Sequence, residues 1–374
     1  MKITAAVLQH SPVDPPYAET RPIRVETVDL APPRSGEVLV EVKAAGLCHS
    51  DVSAINGYRP RPVPLVLGHE AAGIVREIGP NVTRFKPGDH VVLIFVPSCG
   101  HCVPCAEGRP VLCEPGNAAN GLGELMGGGR RLQWNGAPLH HHAGLSSFAS
   151  HAVVSENSIV KIDDTVPFEV AALFGCAVLT GVGAVLNTAA IRAGQSIAVF
   201  GLGGVGLSGL LAAVAAGAYP IVAVDLLPEK LAFAKTLGAT HCFDARQPDV
   251  VNAVKQATHG GVHFAMELAG SVAALETAFA VTRPGGTTVL AGLDHHARNF
   301  SFPPPKVVGE ERAIRGSYAG SCVPVRDVPR FISLYQHGRL PVDRLMTSKG
   351  GLDGTNPAID QLLQGKTVRH VFVM

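Results

Sequence analysis

Charge is scarce in this sequence. Only 16% of its 374 residues are Asp, Glu, Lys or Arg, against about 25% in ordinary globular domains, while 47% are apolar. Disorder needs low hydrophobicity and high net charge, so it is excluded for most of the chain. An excess of either sign is missing too: 31 Lys and Arg face 30 Asp and Glu, a net charge of +1. That balance offers no electrostatic case for a nucleic-acid partner. The 42 glycines and 28 prolines follow no Gly-X-Y period, which excludes a collagen-like rod and implies many tight turns. No internal repeat is evident, and no low-complexity tract beyond His140-His-His142.

The stretch from Ala193 to Val224 carries no charge at all and is long enough to span a bilayer. It also holds Gly194, Gly201, Gly203, Gly204, Gly206, Gly209 and Gly217, with Pro220 near its end. So many glycines would pack a spanning helix poorly. A buried strand, a glycine turn and a buried helix account for the stretch better. The opening MKITAAVLQHSPVDPP has no apolar core of signal-peptide length, so a soluble, cytoplasmic protein with no membrane or nucleic-acid partner is expected. The eight cysteines fit a reducing compartment, because four of them are spaced as metal ligands rather than as a disulfide framework.

At roughly 100–200 residues per domain the length suggests about two domains, and the texture changes along the chain accordingly. The first part reads as β-rich: Glu37-Val-Leu-Val-Glu-Val-Lys43 alternates apolar and polar residues, and Val91–Val96 is a short apolar run after the turn Lys86-Pro-Gly-Asp89. From about Thr180, apolar runs alternate with Ala/Leu-rich segments of helical period. Ile197–Phe200, Ile221–Val224, His263–Met266 and Thr287–Ala291 read as parallel strands, with helices over Leu207–Ala216 and Pro228–Leu237. This is the α/β pattern of a doubly wound sheet. Near Phe302-Pro-Pro-Pro305 the chain turns proline-rich, and the tail from Tyr318 is too short to stand alone, so it is expected to pack back onto the first part.

Two motifs stand out. Gly201-Leu-Gly203-Gly204-Val205-Gly206 follows the expected strand and opens the expected helix. In that context the glycines let the backbone approach a pyrophosphate at a helix N-terminus. Asp225 closes the next strand, 19 residues beyond Gly206. A carboxylate there accepts hydrogen bonds from a ribose and repels a 2′-phosphate, so NAD is favoured over NADP. The alternative is a glycine turn in another kind of α/β protein. The second motif, Cys99-x2-Cys102-x2-Cys105-x7-Cys113, offers four thiols within 15 residues. Four thiolates close a tetrahedral zinc site and leave no position for substrate, so the site would fix a loop. The alternatives are a metal-free cluster or a nucleic-acid zinc ribbon, but no basic patch surrounds it.

Cys48, His69 and Cys176 remain as dispersed potential ligands. Taken singly, each would more often be an ordinary buried side chain. Together they make the two-sulfur, one-imidazole set that leaves a zinc position open. With Gly46-Leu-Cys48-His-Ser50-Asp51, Gly68-His69-Glu70, Lys86-Pro-Gly88-Asp89, the four-cysteine lobe, Gly175-Cys176, the Gly201–Gly206 fingerprint and Asp225 in order along nearly the whole chain, the sequence resembles the zinc-dependent alcohol dehydrogenases of the medium-chain dehydrogenase/reductase family, in the longer form that includes liver-type and glutathione-dependent formaldehyde dehydrogenases.

The resemblance implies a GroES-like catalytic domain over residues 1–177 and 318–374, a Rossmann domain over 178–317, and an active site in the cleft between them. It implies two zinc ions per chain: a catalytic one on Cys48, His69 and Cys176, with Glu70 behind the metal, and a structural one on Cys99, Cys102, Cys105 and Cys113. Asp51 would orient His69, with helix capping as its other role. Ser50 would take the alcohol proton first. Ser53 stands where liver- and yeast-type members often place the histidine that ends the proton relay, so the route to solvent departs from theirs. His49 and Arg369 match pyrophosphate contacts (a surface salt bridge being the alternative for Arg369), Thr180 and Val205 match positions beside the nicotinamide, and Lys230 lies near the adenosine ribose. Arg59, Phe95, His142, Leu293 and Tyr318 match pocket walls, with Arg59 leaning to water at the mouth. The expected activity is NAD-dependent oxidation of primary, allylic or aromatic alcohols, and the reverse. Polyols and hydroxymethyl-thiol adducts are alternative substrates. A zinc-free enone or quinone reductase is opposed by the ligands and by Asp225, and a non-enzymatic zinc protein is the remaining alternative. A homodimer or homotetramer is expected.

Overall fold

The structure is a computed structural model describing residues 1–295 and 297–374. The chain divides into two units, the first made of residues 1–176, 323–333 and 346–374, the second of residues 177–322 and 334–345.

The first unit is built on two sheets. The larger takes its strands in the order Ile159–Lys161, His90–Ile94, Glu70–Ile78, Glu37–Leu47, Arg369–Val373 and Met346–Gly350, and His151–Ser155 also pairs with Glu37–Leu47. The smaller runs Ala137–Pro138, Leu132–Trp134, Ile23–Leu30, Lys2–Leu8, Leu65–Val66 and His140–His141. The alternating segment after Glu37 is a strand as expected, but a central one with apolar contacts on both faces. Val38, Val40 and Val42 enter one core cluster with Val75, Val91 and Phe372, while Leu39 enters another with Ile3, Val7 and Val153. Each such side chain taken from water contributes about 1.5–3 kcal/mol. The polar residue at the strand's start is matched rather than wetted: Glu37 is buried and accepts two hydrogen bonds from Arg131, at 2.8 and 2.5 Å.

The second unit carries a six-stranded parallel sheet ordered His241–Asp244, Ile221–Asp225, Ile197–Phe200, Val262–Glu267, Thr282–Leu290 and Ala313–Gly316. In chain order that is 3-2-1-4-5-6, the dinucleotide-binding order, which reverses direction between its first and fourth strands. The uncharged stretch resolves into the strand Ile197–Phe200, the helix Gly204–Ala215 and the strand Ile221–Asp225. No helix among the described residues is long and apolar enough to cross a membrane.

The tail divides. Its final strand, Arg369–Val373, lies antiparallel to Glu37–Leu47 with Val371 opposite Gly46. Residues 334–345, beyond the 178–317 span expected for the Rossmann domain, group with the second unit. There Leu340, Val342 and Leu345 are buried, and the Arg344 guanidinium donates to the carbonyl and hydroxyl oxygens of Thr236 at 3.3 and 3.2 Å.

Candidate active site

The central strand of the first unit runs into Cys48, whose extended backbone (φ −128°, ψ 155°) caps the helix His49–Ile55. Asp51, in that helix's first turn, reaches back so that Oδ2 accepts the Cys48 N–H at 3.0 Å. Its other oxygen, Oδ1, lies 3.0 Å from Nδ1 of His69, just before the strand Glu70–Ile78. One carboxylate thus makes both contacts that the sequence suggests for it. Cys176 arrives after the short helix Phe168–Leu173. Donor atoms of Cys48, His69, Glu70 and Cys176 all lie within 4.8 Å of one another, and all four residues are buried. A Cβ on Gly46 would collide with the Glu70 carboxylate and the Arg369 guanidinium, so a larger residue there would have to displace that buried pair.

Electrostatics draws these groups together. A hydrogen bond from Cys176 holds the Cys48 thiol well below its ordinary range, while the same contact and burial push Cys176 well above it. Burial opposes charge on His69, yet the Asp51 carboxylate lifts its pKa to about 10. Burial also opposes charge on Asp51, but His69 and His142 keep it below the usual carboxylate range. Among the described residues, Nε2 of His69 has no hydrogen-bond partner. A buried nitrogen without a partner is costly, and one beside two thiols is the donor geometry zinc uses. The residues fit a zinc ion. Behind them Arg369 forms an ion pair with Glu70, both buried. This is not the surface salt bridge that stood as an alternative for Arg369.

The second sulfur cluster is built locally. Cys99, Cys102, Cys105 and Cys113 also bring their sulfurs within 4.8 Å of one another. The N–H groups of Cys102 and His101 point at Cys99 Sγ (3.2 and 3.5 Å), and those of Cys99 and Gly116 at Cys113 Sγ (3.2 and 3.4 Å). The backbone bond from His101 brings Cys99 down to about 6, while burial pushes Cys105 up to about 12. Four sulfurs cradled by amides fit a closed tetrahedral metal site.

In the second unit, Gly201–Gly206 forms the turn between the strand Ile197–Phe200 and the helix Gly204–Ala215. A Cβ on Gly206 would strike the Gly201 carbonyl, whereas one on Gly203, the helix N-cap, would meet none of the described residues within 4 Å. The open side of Gly203 fits the approach of a phosphate group. Asp225 ends its strand with Oδ2 accepting the Leu202 N–H at 2.6 Å and Oδ1 the Leu227 N–H at 3.0 Å, so it grips the turn while keeping lone pairs for a ribose. Lys230 stands in the first turn of the helix Pro228–Thr236, Val205 in that of Gly204–Ala215, and Thr180 is buried in Ala177–Gly183. Sequence reasoning missed Glu267. It ends the strand beside Phe200, and its Oε1 accepts the N–H groups of Ala269, Gly270 and Ser271 at 2.9, 2.7 and 3.3 Å. Burial raises its pKa. An acid closing the strand next to the glycine turn was the available signal.

The remaining expected residues are spread over both units. His49 is exposed and Ser50 half-buried on the helix after Cys48. Ser53 donates its hydroxyl to the His49 carbonyl at 3.0 Å. Arg59 is half-buried rather than freely exposed. Phe95 sets its ring edge-on to His69, centroids 5.7 Å apart. Leu293 and Tyr318 are exposed, at 55% and 37%. His142 is 3% exposed, with Nδ1 3.3 Å from Asp51 Oδ1.

Comparison with known proteins agrees with both units. The alcohol dehydrogenase GroES-like domain model matches residues 34–164, and the zinc-binding dehydrogenase model matches residues 204–337. A Mycobacterium tuberculosis protein provisionally named alcohol dehydrogenase D is 39% identical over 377 residues, covering the whole of both chains. The crystal structure of benzyl alcohol dehydrogenase from Acinetobacter calcoaceticus is 34% identical, with a TM-score of 0.93 over 100% of this chain and 99% of that one. A provisionally named zinc-binding dehydrogenase of Sinorhizobium meliloti, bound to NADP, is 26% identical, with a TM-score of 0.81 over 100% of each chain.

Proposed function

The chain belongs to the zinc-type medium-chain dehydrogenase/reductase family, and on that premise we propose that it interconverts primary, allylic or aromatic alcohols and their aldehydes with NAD. The observation that carries this reading is the buried set of two sulfurs and one imidazole, their donor atoms within 4.8 Å of one another and the imidazole backed by a carboxylate. The likeness to a benzyl alcohol dehydrogenase favours an aromatic substrate. Bound at these positions, zinc would polarise the alcohol oxygen as a Lewis acid and NAD would accept the hydride.

The protein's own groups do the rest. Cys48, His69 and Cys176 hold the metal, and the Asp51 contact at Nδ1 fixes the His69 tautomer so that Nε2 is the donor. The ion pair with Arg369 keeps the Glu70 charge matched. The Ser50 hydroxyl, in the first turn of its helix, receives the alcohol proton. From there the proton passes toward solvent without a histidine at position 53, where the serine hydroxyl is already donating to its own helix. The pyrophosphate contacts proposed are His49 and Arg369 in the first unit and the glycine turn of residues 201, 203, 204 and 206 in the second. Thr180 and Val205 flank the nicotinamide, and Asp225 and Lys230 hold the adenosine ribose. Arg59 and Phe95 in the first unit, and Leu293 and Tyr318 in the second, are the residues proposed to meet substrate. The four-cysteine lobe holds a second, structural zinc.

The Asp225 carboxylate favours NAD, and the NADP-bound relative makes cofactor choice the point to measure. Reduction of NAD and of NADP is followed with benzyl, allylic and simple primary alcohols, before and after chelation. The expected result is turnover with NAD and an aromatic or allylic alcohol, lost on chelation and restored by zinc. Activity that survives complete metal removal would sink the reading.

A further inference from the structure

Asp51 has a third neighbour. His142 lies in a tight turn: its carbonyl accepts the N–H groups of Leu145 (3.0 Å) and Ser146 (3.2 Å), and its own N–H donates to Ser146 Oγ at 3.0 Å. The turn fixes the backbone and delivers the ring into the interior. There Nδ1 of His142 sits 3.3 Å from Asp51 Oδ1, the same oxygen that meets Nδ1 of His69 at 3.0 Å. The two imidazoles stand edge to face, with centroids 5.3 Å apart and planes at 74°.

Asp51 is wholly buried. A buried carboxylate is costly unless it is paired and hydrogen-bonded, and here three groups surround it: the Cys48 N–H on Oδ2, the His69 ring on Oδ1, and His142 Nδ1 in a looser polar contact, 3.3 Å from the same Oδ1. With His69 alone on Oδ1, the carboxylate would be held only by the ring it has to orient and by one amide. The second imidazole comes from a segment remote in sequence and anchored by its own turn, so it gives the carboxylate a support independent of the metal ligands. Resting on the zinc reading above, we propose that His142 is a positioning residue for the metal site: by holding Asp51 Oδ1 it fixes the carboxylate plane and, through it, the aim of His69 Nε2 toward the sulfurs of Cys48 and Cys176.

Full-length His142→Leu and His142→Asn test this against the parent protein. Leucine fills the space without a donor, whereas the asparagine amide places an N–H close to where Nδ1 stands. Three quantities are measured: zinc per chain, zinc affinity by chelator competition, and the visible spectrum of the cobalt-loaded protein. Losing a partner behind a metal ligand typically costs ~10–100-fold in affinity, so the leucine variant is expected to hold the Cys48-site zinc about tenfold more weakly, with a shifted cobalt band, and the asparagine variant to recover to within about twofold. Metal in the Cys99 lobe stays unchanged in both, which reports that the fold is intact. A leucine variant with the parent's affinity and spectrum would overturn the proposal. So would an asparagine variant as weak as the leucine one, because His142 would then act by packing alone. If the parent itself holds a single zinc, in the lobe, the zinc reading fails, and this proposal with it. If the parent holds two and the variants do not differ from it, only the role of His142 fails.

Discussion

The chain builds two sulfur clusters in opposite ways. The lobe draws four thiols from 15 consecutive residues, leaves three of them partly exposed, and steadies them with backbone amides. The other set brings together residues 48, 69 and 176, buries every member, and steadies its histidine with a carboxylate and its neighbouring acid with an arginine. Four sulfurs saturate a tetrahedral ion, whereas two sulfurs and a nitrogen leave one corner for substrate. The comparison teaches that a local cluster needs only a loop to form, while an open one needs a whole sheet behind it. Cys48 follows the central strand and His69 precedes the strand starting at Glu70, so the pairing of those two strands brings two of the ligands together, and Cys176 joins them from beyond a helix.

This contrast can be broken experimentally. The largest effect is expected for Cys176→Ala. Zinc content should fall from two to one per chain and turnover by ~10³-fold or more, since Lewis-acid stabilisation is worth several kcal/mol and each ~1.4 kcal/mol is a factor of ten. Metal analysis and NAD-linked rates check it, and near-parental turnover would remove the distinction between the two sites. Next comes Cys105→Ser, which should also lose one zinc but be felt in stability. A loss of about 3 kcal/mol, at the upper end of ordinary single substitutions, should lower Tm by several degrees, while the rate per folded molecule stays close to the parent's. Thermal unfolding and rates taken well below Tm separate the two. The smallest effect is expected from Ser53→His. It should change kcat less than about fivefold but add a limb to the pH profile that rises through the ordinary histidine pKa of about 6.5, because only neutral imidazole can accept the relayed proton. An unchanged profile would take position 53 off the proton path.

Legibility in the sequence follows the same divide. The lobe could be read from spacing alone, and the glycine fingerprint from its strand-turn-helix context, because both are local. The three dispersed ligands could be joined only through the family's motifs, since nothing in periodicity brings residues 48, 69 and 176 together. Buried strands of the parallel sheet are apolar runs and were visible. The edge strands His241–Asp244 and Ala313–Gly316 are partly exposed, carry no such run, and were not. The contact of His142 with Asp51 was illegible for a different reason. It depends on a tight turn and a rotamer, and the tract His140-His-His142 offers three identical side chains with three environments. His140 is partly exposed. His141 is buried, accepts the Arg131 N–H at 3.1 Å, and is held at about 3 by that burial. His142 lies on the carboxylate.

The path of the tail bears on how such a molecule can be re-engineered. The chain changes unit after residues 176, 322, 333 and 345, four crossings rather than the two of a simple insertion. Grafting a foreign nucleotide module by splicing at 176 and 322 would therefore leave the host's own Leu334–Leu345 stitch behind, with Leu340, Val342 and Leu345 seeking a surface the donor does not supply. A working chimera has to carry that stitch across with the module it belongs to.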